Sequence, residues 1–272
     1  MSKVIDFFKD YELSNKIDGK LLYNQSLAKF SWLGVGGIAE VYYLCESFQQ
    51  LEEILISLPK ECKRTVIGQG SNILIRDGGI KGLVIKLGKN FQKIQLFDKI
   101  ITAGGATLDR VIARYCEKES ISGLEFLSGI PGNIGGALAM NAGCFGADLN
   151  QIFYAAEGLD YFGNKINISK SDLNFNYRFN PLASSAIFTQ VSLMGSEGNQ
   201  LHIKKRIEKI NDDRNLTQPK GIKTGGSTFK NPDSNISPLK AWELIYKSDC
   251  HNISMGGVSF SSKHCNFIEN KQ

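Results

Sequence analysis

The spacing of apolar residues predicts a helix and several strands in the first third of the chain. Helical spacing begins after a capping box at Ser47 and Gln50 and ends at Pro59. The apolar residues that define it are Leu51, Ile54, Leu55 and Leu58. Residues 65–67 and 83–85 are β-branched or apolar and predict strands on either side of a glycine-rich loop. The residues up to about 90 therefore form a first α/β unit.

A second unit begins near residue 91, where the pattern returns to strands. Apolar residues at 94, 96, 100 and 101 predict a hairpin, and Thr107 is placed to cap the helix that follows. The predicted buried face of that helix consists of Leu108, Val111, Ile112 and Tyr115. A turn at 162–164 predicts another hairpin, and residues 186–193 predict a further strand.

The last third of the chain predicts two helices and a domain boundary near residue 200. The first helix runs from about Glu197 to Asp213, and the second starts at Ser237 and Pro238. The basic run 204–206 lies within the first helix, among apolar residues at helical spacing. We therefore interpret this run as a solvated helix face and expect no nucleic-acid partner.

Composition places the chain among ordinary globular proteins. Its 272 residues include 42% hydrophobic and 22% charged residues, without an apolar run long enough for a membrane span or a signal peptide at the start. The six cysteines are irregularly spaced, which favours reduced thiols and a cytoplasmic location over a disulfide framework or a metal site. The net charge of +5 favours an anionic ligand without specifying it.

Two glycine-rich loops offer surfaces for a phosphorylated cofactor. The loop 68–72 follows a predicted strand and presents consecutive backbone N–H groups, an arrangement that suits diphosphate oxygens. The second loop, 130–137, allows the close approach of a large cofactor because glycine lacks a β-carbon. Neither loop matches the P-loop or the dinucleotide-binding fingerprint, which disfavours both of those folds.

A third loop, 224–232, combines chemically active groups with a glycine pair. Ser227 supplies a hydroxyl, Lys230 an ammonium and Asn231 a carboxamide, while Gly225 and Gly226 let the backbone approach a ligand. This combination is typical of a catalytic or binding loop.

Together these segments resemble the UDP-N-acetylenolpyruvoylglucosamine reductase family in the same order, from about Phe30 to Phe267. The resemblance rests on residues 68–72, 130–143, 177–178, 226–232 and 263–267. It implies an α+β fold with a two-lobed FAD-binding domain of the vanillyl-alcohol-oxidase (PCMH) type and a small α/β substrate-binding domain. The shorter type II form of the family is the most similar.

We expect an N-terminal segment at 1–30, FAD-binding lobes at about 31–90 and 91–200, and a substrate-binding domain at 201–272. The resemblance implies non-covalent FAD and reduction by NADPH, which leaves before the UDP-sugar binds. It further implies a cytoplasmic oxidoreductase of peptidoglycan synthesis, with roles in cell-wall biogenesis, cell shape, cell division and the cell cycle. We expect a monomer that acts on the UDP-sugar without a membrane partner.

The family motifs also imply roles for individual residues. Ser227 is expected to donate a proton to the enolate, Arg178 to stabilise the enolate, and Tyr177, Lys230 and Asn231 to bind the substrate. The expected FAD-binding residues are Gly68, Gln69, Gly70, Ser71, Asn72, Gly132, Ile134, Gly135, Gly136, Ala142 and Gly143. By contrast, Cys144 is expected to be a packing residue.

The family pattern also includes a later strand with a glutamate that is a second partner for the enol intermediate. Glu269 comes too early in the motif order for that role. We therefore expect a substrate-binding domain that is incomplete, as in a C-terminally truncated member of the family. Two alternatives stay open: a flavin- or UDP-sugar-binding remnant with impaired turnover, and another FAD oxidase on the same scaffold.

Overall fold

The computed structural model describes residues 3–272, and the first sheet lies near its N-terminus. The helices of this region are α1 (Lys3–Ser14) and α2 (Phe48–Ser57). The strands are β1 (Gly19–Ser26), β2 (Ile38–Cys45), β3 (Arg64–Val66) and β4 (Ile80–Leu87). They form a sheet in the order β1-β2-β4-β3, in which only the β1–β2 pair is antiparallel. Part of the predicted segment 1–30 thus belongs to this sheet.

The middle of the chain builds a second, antiparallel sheet. The strands of this region are β5 (Ile94–Phe97), β6 (Ile100–Gly104), β7 (Ile121–Ser122), β8 (Gly143–Cys144), β9 (Ala147–Asp148), β10 (Phe153–Asp160), β11 (Lys165–Ser169), β12 (Ala186–Met194) and β13 (Ser196–Glu197). The helices are α3 (Asp109–Lys118), α4 (Ile134–Ala139) and α5 (Leu149–Ile152). The sheet order is β11-β10-β12-β6-β5, while β7–β13 and β8–β9 form small pairs. Both predicted hairpins are confirmed.

The C-terminal region adds a third sheet. Its helices are α6 (Gln200–Thr217) and α7 (Ala241–Lys247), and its strands are β14 (Lys223–Ser227), β15 (Ser254–Met255), β16 (Val258–Phe260) and β17 (Phe267–Asn270). The sheet is antiparallel, in the order β14-β17-β16-β15. On α6, Ile203 and Ile207 are buried, whereas Arg206 pairs with Glu125 at 2.6 Å. The boundaries of the domains stay a prediction.

Local details differ from the sequence prediction at three helix starts. Ser47 caps α2 as predicted, but the Gln50 amide turns away to bond the Lys16 carbonyl oxygen at 2.6 Å. The cap of α3 is Leu108 without a side-chain bond, so Thr107 was wrongly predicted as the cap. The last helix begins only at Ala241, since the Ser237 hydroxyl accepts a local turn hydrogen bond instead.

Two large apolar clusters form the cores of the first two sheets. One packs α2 against β2 and β4 around Tyr43 and Leu51, and the other packs α3, α4 and α6 against the second sheet around Ile112 and Val191. On α3 the predicted face is only partly right, because Val111 is exposed while Ile112 is buried. Between residues 3 and 272, no helix has the length and apolar character needed to cross a membrane.

Candidate active site

The two glycine-rich loops contact each other, although about 60 residues separate them in the chain. The Ser71 hydroxyl donates a hydrogen bond to the Pro131 carbonyl oxygen at 2.5 Å. A β-carbon on Gly68 would collide with the end of the Asn133 side chain, so glycine at position 68 lets the two loops approach closely. Gly70 has a φ of +69°, and a β-carbon there would collide with the Phe30 carbonyl oxygen. The first loop is therefore fixed in shape by glycine.

The backbone amides of loop 68–72 point to anion binding. None of these five N–H groups donates to another group in the described part of the chain. Gly132 and Gly136 likewise have amides that find no acceptor among residues 3–272. Consecutive free N–H groups suit the oxygens of a diphosphate, because each can donate a hydrogen bond and the loop backbone carries no negative charge that would repel the anion.

Other predicted cofactor residues occupy different surroundings. Ile134 is fully buried, and its amide donates to the Thr107 carbonyl oxygen at 2.9 Å. The Gly135 amide donates to the Gly105 carbonyl oxygen at 3.0 Å. These two residues therefore anchor the second loop to the strand end after β6, and their contact with a cofactor stays a prediction. Ala142 and Gly143 lie on the chain that runs into β8.

Gly132 lies where the second loop approaches the first. A β-carbon on this glycine would stand 3.3 Å from Asp109 Oδ2 and 3.5 Å from Ser71 Oγ, so a larger residue would crowd both side chains. The free amides and the exposed Gly136 together fit a large phosphorylated cofactor such as FAD.

Arg178 lies on a tight turn beside the second loop. Its φ of +54° is in the left-handed region, which an arginine seldom adopts. Its guanidinium donates to the carbonyl oxygens of Asn141 at 3.2 Å and Gly143 at 2.5 Å, and it lies 5.1 Å from the centre of the Tyr177 ring. These bonds hold the cation at the end of the predicted cofactor loop. Strained backbone of this kind is found most often at functional sites.

Ser227 ends β14 on a bulged and exposed loop. The β14–β17 register shifts between Thr224 and Ser227, and Gly226 has a φ of +81°. A β-carbon on Gly226 would stand 3.8 Å from the Ser71 carbonyl oxygen, which puts this loop next to the first glycine loop. The Ser227 hydroxyl is exposed and makes no hydrogen bond to the described part of the chain. It is thus free to bond a ligand.

The predicted substrate residues come together from two distant segments. Lys230 Nζ donates to the Arg178 carbonyl oxygen at 3.2 Å, and the Asn231 amide donates to the Tyr177 hydroxyl at 3.4 Å. The Asn231 carboxamide oxygen already accepts a bond from Ala241 at the start of α7, at 3.0 Å. The NH₂ group of that side chain and the second lone pair of its oxygen therefore stay available to a substrate.

Asn266 is a site residue for which the sequence predicted no role. Its side chain is 4% exposed and bonds both backbone groups of Phe229, accepting from N–H at 3.0 Å and donating to C=O at 2.9 Å. Its own carbonyl oxygen accepts from Thr228 at 2.8 Å. Asn266 thereby fixes the loop that carries Ser227 and Lys230. Its position inside the 263–267 motif was the available signal.

Cys144 behaves as a packing thiol. Burial raises the pKa of the Cys144 thiol to about 11, so the thiol stays protonated near neutral pH. The Sγ atom also donates to the Phe126 carbonyl oxygen at 3.2 Å. This protonated thiol is a poor nucleophile.

Models of two protein families match the chain over the regions that carry these loops. An FAD binding domain matches residues 39–159, and the C-terminal domain of UDP-N-acetylenolpyruvoylglucosamine reductase matches residues 218–272. A flavin-binding domain beside a loop with a hydroxyl and a cation defines the class of FAD-dependent oxidoreductases. The match to these two domain models confirms the predicted α+β fold and the FAD cofactor.

Relatives with known names narrow this class. The reductases of Paramagnetospirillum magneticum and Rickettsia prowazekii are both 41% identical, over 94% and 93% of this chain and 82% and 85% of their own lengths. The chain belongs to the UDP-N-acetylenolpyruvoylglucosamine reductase family. The crystal structure of the Thermus caldophilus enzyme is 30% identical, with a TM-score of 0.80 over 94% of this chain and 90% of that chain. The incompleteness of the substrate domain stays a prediction.

Proposed function

We propose that this protein reduces the enolpyruvyl group of UDP-N-acetylglucosamine enolpyruvate to UDP-N-acetylmuramate, with NADPH as the electron donor and FAD as the cofactor. The observation that carries this proposal is the meeting of two segments beside the glycine loops. Lys230 bonds the Arg178 backbone, and Gly226 lies next to Ser71. This arrangement collects a hydroxyl and two cations at one edge of the cofactor site.

The reaction adds a hydride to C3 of the enolpyruvyl group and a proton to C2. FAD, when bound and reduced by NADPH, would supply the hydride. Arg178 provides positive charge for the enolate that forms at C2 and the carboxylate, where fixed charges stabilise a transition state most. Ser227 then donates the proton to C2, because the enolate is a strong base and placement matters more than a lowered hydroxyl pKa.

The remaining polar side chains bind the substrate in this proposal. Lys230 is exposed and points its ammonium across the Arg178 turn, so it can also meet the substrate's carboxylate or diphosphate. Tyr177 is 51% exposed and offers its hydroxyl at the same place. The product is a muramic-acid precursor of peptidoglycan, which supports a cytoplasmic role in cell-wall biogenesis, cell shape and division.

Anaerobic mixing of the purified flavoprotein tests the proposal in two steps. NADPH should bleach the flavin absorbance band, and subsequent addition of the UDP-sugar should restore it as the hydride passes to the substrate. NADH in place of NADPH reports the nucleotide preference. If the UDP-sugar does not reoxidise the reduced flavin, and oxygen admitted afterwards reoxidises it rapidly, the protein is an oxidase and the proposal is wrong.

A further inference from the structure

Asn141 has a buried amide side chain that reaches from the end of α4 to the Arg178 turn. It is 2% exposed, and both ends of its carboxamide bond backbone groups of other segments. Nδ2 donates to the Asn176 carbonyl oxygen at 3.0 Å, and Oδ1 accepts from the Asn150 amide at 3.0 Å. A buried amide is retained where its hydrogen bonds are satisfied, so these two bonds fix the position of Asn176 relative to α4.

The turn that carries Arg178 has few bonds of its own. Asn176 and Phe179 close the turn by exchanging two backbone hydrogen bonds, at 3.2 and 3.0 Å. In the described part of the chain, the turn backbone accepts further bonds from two side chains, those of Asn141 and Lys230. Because Lys230 is exposed, water competes for its bond, and the bond from the buried Asn141 is the firmer restraint.

Asn141 connects this turn to the helix that begins at the second glycine loop. The Asn141 amide donates to the Leu138 carbonyl oxygen at 3.2 Å, and the Ala142 amide donates to the Ala137 carbonyl oxygen at 2.9 Å. The backbone at residue 141 is therefore fixed by α4 without help from its own side chain. Since α4 starts at Ile134, inside the loop predicted to bind FAD, the Asn141 side chain sets the position of the turn relative to that loop.

The guanidinium of Arg178 is held at the same place as the turn backbone. It donates to the carbonyl oxygens of Asn141 at 3.2 Å and Gly143 at 2.5 Å. Residue 141 thus holds the turn through its side chain and the cation through its backbone. A cation that is fixed in advance stabilises a developing negative charge better than one that must be ordered during the reaction.

We propose that Asn141 is a positioning residue, whose side chain holds the Arg178 turn so that the guanidinium meets the enolate. This inference rests on the proposed function, in which Arg178 stabilises that enolate. Asn141 contacts neither the substrate nor the reacting atoms in this proposal and acts only through Arg178.

Asn141→Gly tests this role because glycine removes the side chain and keeps the backbone. Asn141 has a φ of +41°, which glycine adopts without strain, and the carbonyl oxygen that accepts from Arg178 remains. Reoxidation of reduced flavin by the UDP-sugar should become about ten- to a hundredfold slower in stopped-flow mixing. Flavin reduction by NADPH and FAD affinity should change less than about threefold. Asn24→Gly, the same substitution at a φ of +50° on the exposed side of the first sheet, should react like the wild type.

A double-mutant cycle separates positioning from a general structural role. Arg178→Ala should slow reoxidation by about 10²–10³-fold, because it removes the cation itself. If Asn141 acts through Arg178, adding Asn141→Gly to Arg178→Ala should change the rate by less than about threefold.

Hydrogen exchange of the turn provides a measurement that does not depend on the reaction. The amides of Asn176 and Phe179 bond each other's carbonyl oxygens, so they exchange when the turn opens. In Asn141→Gly, peptides that cover residues 176–179 should exchange about tenfold faster than in the wild type. Asn24→Gly should leave this exchange unchanged.

Three results would overturn the proposal. Unchanged exchange at 176–179 in Asn141→Gly would show that the turn does not depend on this side chain. An equally large slowing by Asn141→Gly with and without Arg178 would show that Asn141 acts elsewhere. Parallel losses of FAD affinity and of both half-reactions would indicate a general structural role. If the UDP-sugar does not reoxidise the wild type, the proposed function is wrong, and hydrogen exchange still decides whether Asn141 holds the turn.

Discussion

Replacing Asn266 by alanine should separate the positioning of the catalytic loop from the binding of the cofactor. The side chain makes two hydrogen bonds to Phe229, at 3.0 and 2.9 Å, and it contacts neither glycine loop through a hydrogen bond. Each such bond contributes about 0.5–1.5 kcal/mol net, so both together contribute about 2 kcal/mol. Because Phe229 is 52% exposed, water replaces part of this loss, and we expect the free energy of unfolding to fall by about 1–2 kcal/mol.

The effect on the reaction should be larger than the effect on stability. Without the Asn266 side chain Phe229 loses both of these bonds, the backbone pairing of Ser227 and Thr228 alone holds the loop, and we expect Ser227 and Lys230 to move relative to Arg178. A misplacement of about 1 Å costs on the order of a hundredfold in rate. Stopped-flow mixing should therefore show slow reoxidation of reduced flavin by the UDP-sugar, while flavin reduction by NADPH and FAD affinity change less than about twofold.

Gln50→Ala is the matched control for this experiment. Gln50 is also a buried amide, and it bonds the Lys16 carbonyl oxygen at 2.6 Å and the Asp18 amide at 2.7 Å in the first lobe. This variant should lose a similar amount of stability but keep the wild-type rate of reoxidation. If Asn266→Ala is destabilised and yet reoxidises at the wild-type rate, the loop does not depend on Asn266 and the reasoning fails.

Three other substitutions test different parts of the structure. Ser227→Ala should slow reoxidation of reduced flavin by about 10²–10⁴-fold in stopped-flow assays without changing the melting temperature, because the hydroxyl has no bond within the described chain; an unchanged rate would exclude it as the proton donor. Gly70→Ala, at a φ of +69°, should purify with little flavin and melt at a lower temperature, whereas Gly78→Ala, with no atom near its β-carbon, should match the wild type in both. Burial raises the pKa of Glu125, but hydrogen bonds from Arg206 and the backbone outweigh burial and hold that pKa below its usual value. The stability that ionised Glu125 contributes is therefore present above its unfolded-state pKa and is lost as the pH falls through its folded-state pKa. Urea unfolding at about pH 6 and about pH 3 should therefore show a smaller loss for Glu125→Gln than for the wild type, and equal losses would contradict the pairing.

The sequence located the chemistry because local motifs need only local information. Ser227 and Lys230 lie three residues apart in one loop, and Tyr177 is adjacent to Arg178. Their order along the chain was enough to indicate the family. The roles of these residues follow from the resemblance and stay proposals, whereas their proximity is an observation of the structure.

Asp109 illustrates what local reasoning misses. In the sequence it is an acidic residue in the first helical turn, a position that usually faces solvent and favours the helix dipole. The structure instead pairs Leu108 with Asn133 and joins the Asp109 amide to Gly132, which draws the carboxyl group inside. The same contact with the second loop occupies Thr107, because the Thr107 carbonyl oxygen accepts from the Ile134 amide, and Leu108 is the residue that precedes the helix.

By itself, the sequence indicated several of the helices and strands, the glycine positions and the reactive side chains, since periodicity, turn chemistry and motif spacing act over a few residues. Only the tertiary structure decided which of these features meet. The bond from Ser71 to Pro131 and the bond from Lys230 to Arg178 join segments about 50 or more residues apart. Such contacts depend on how separate sheets pack against each other, and the spacing of residues along the chain does not encode that packing directly.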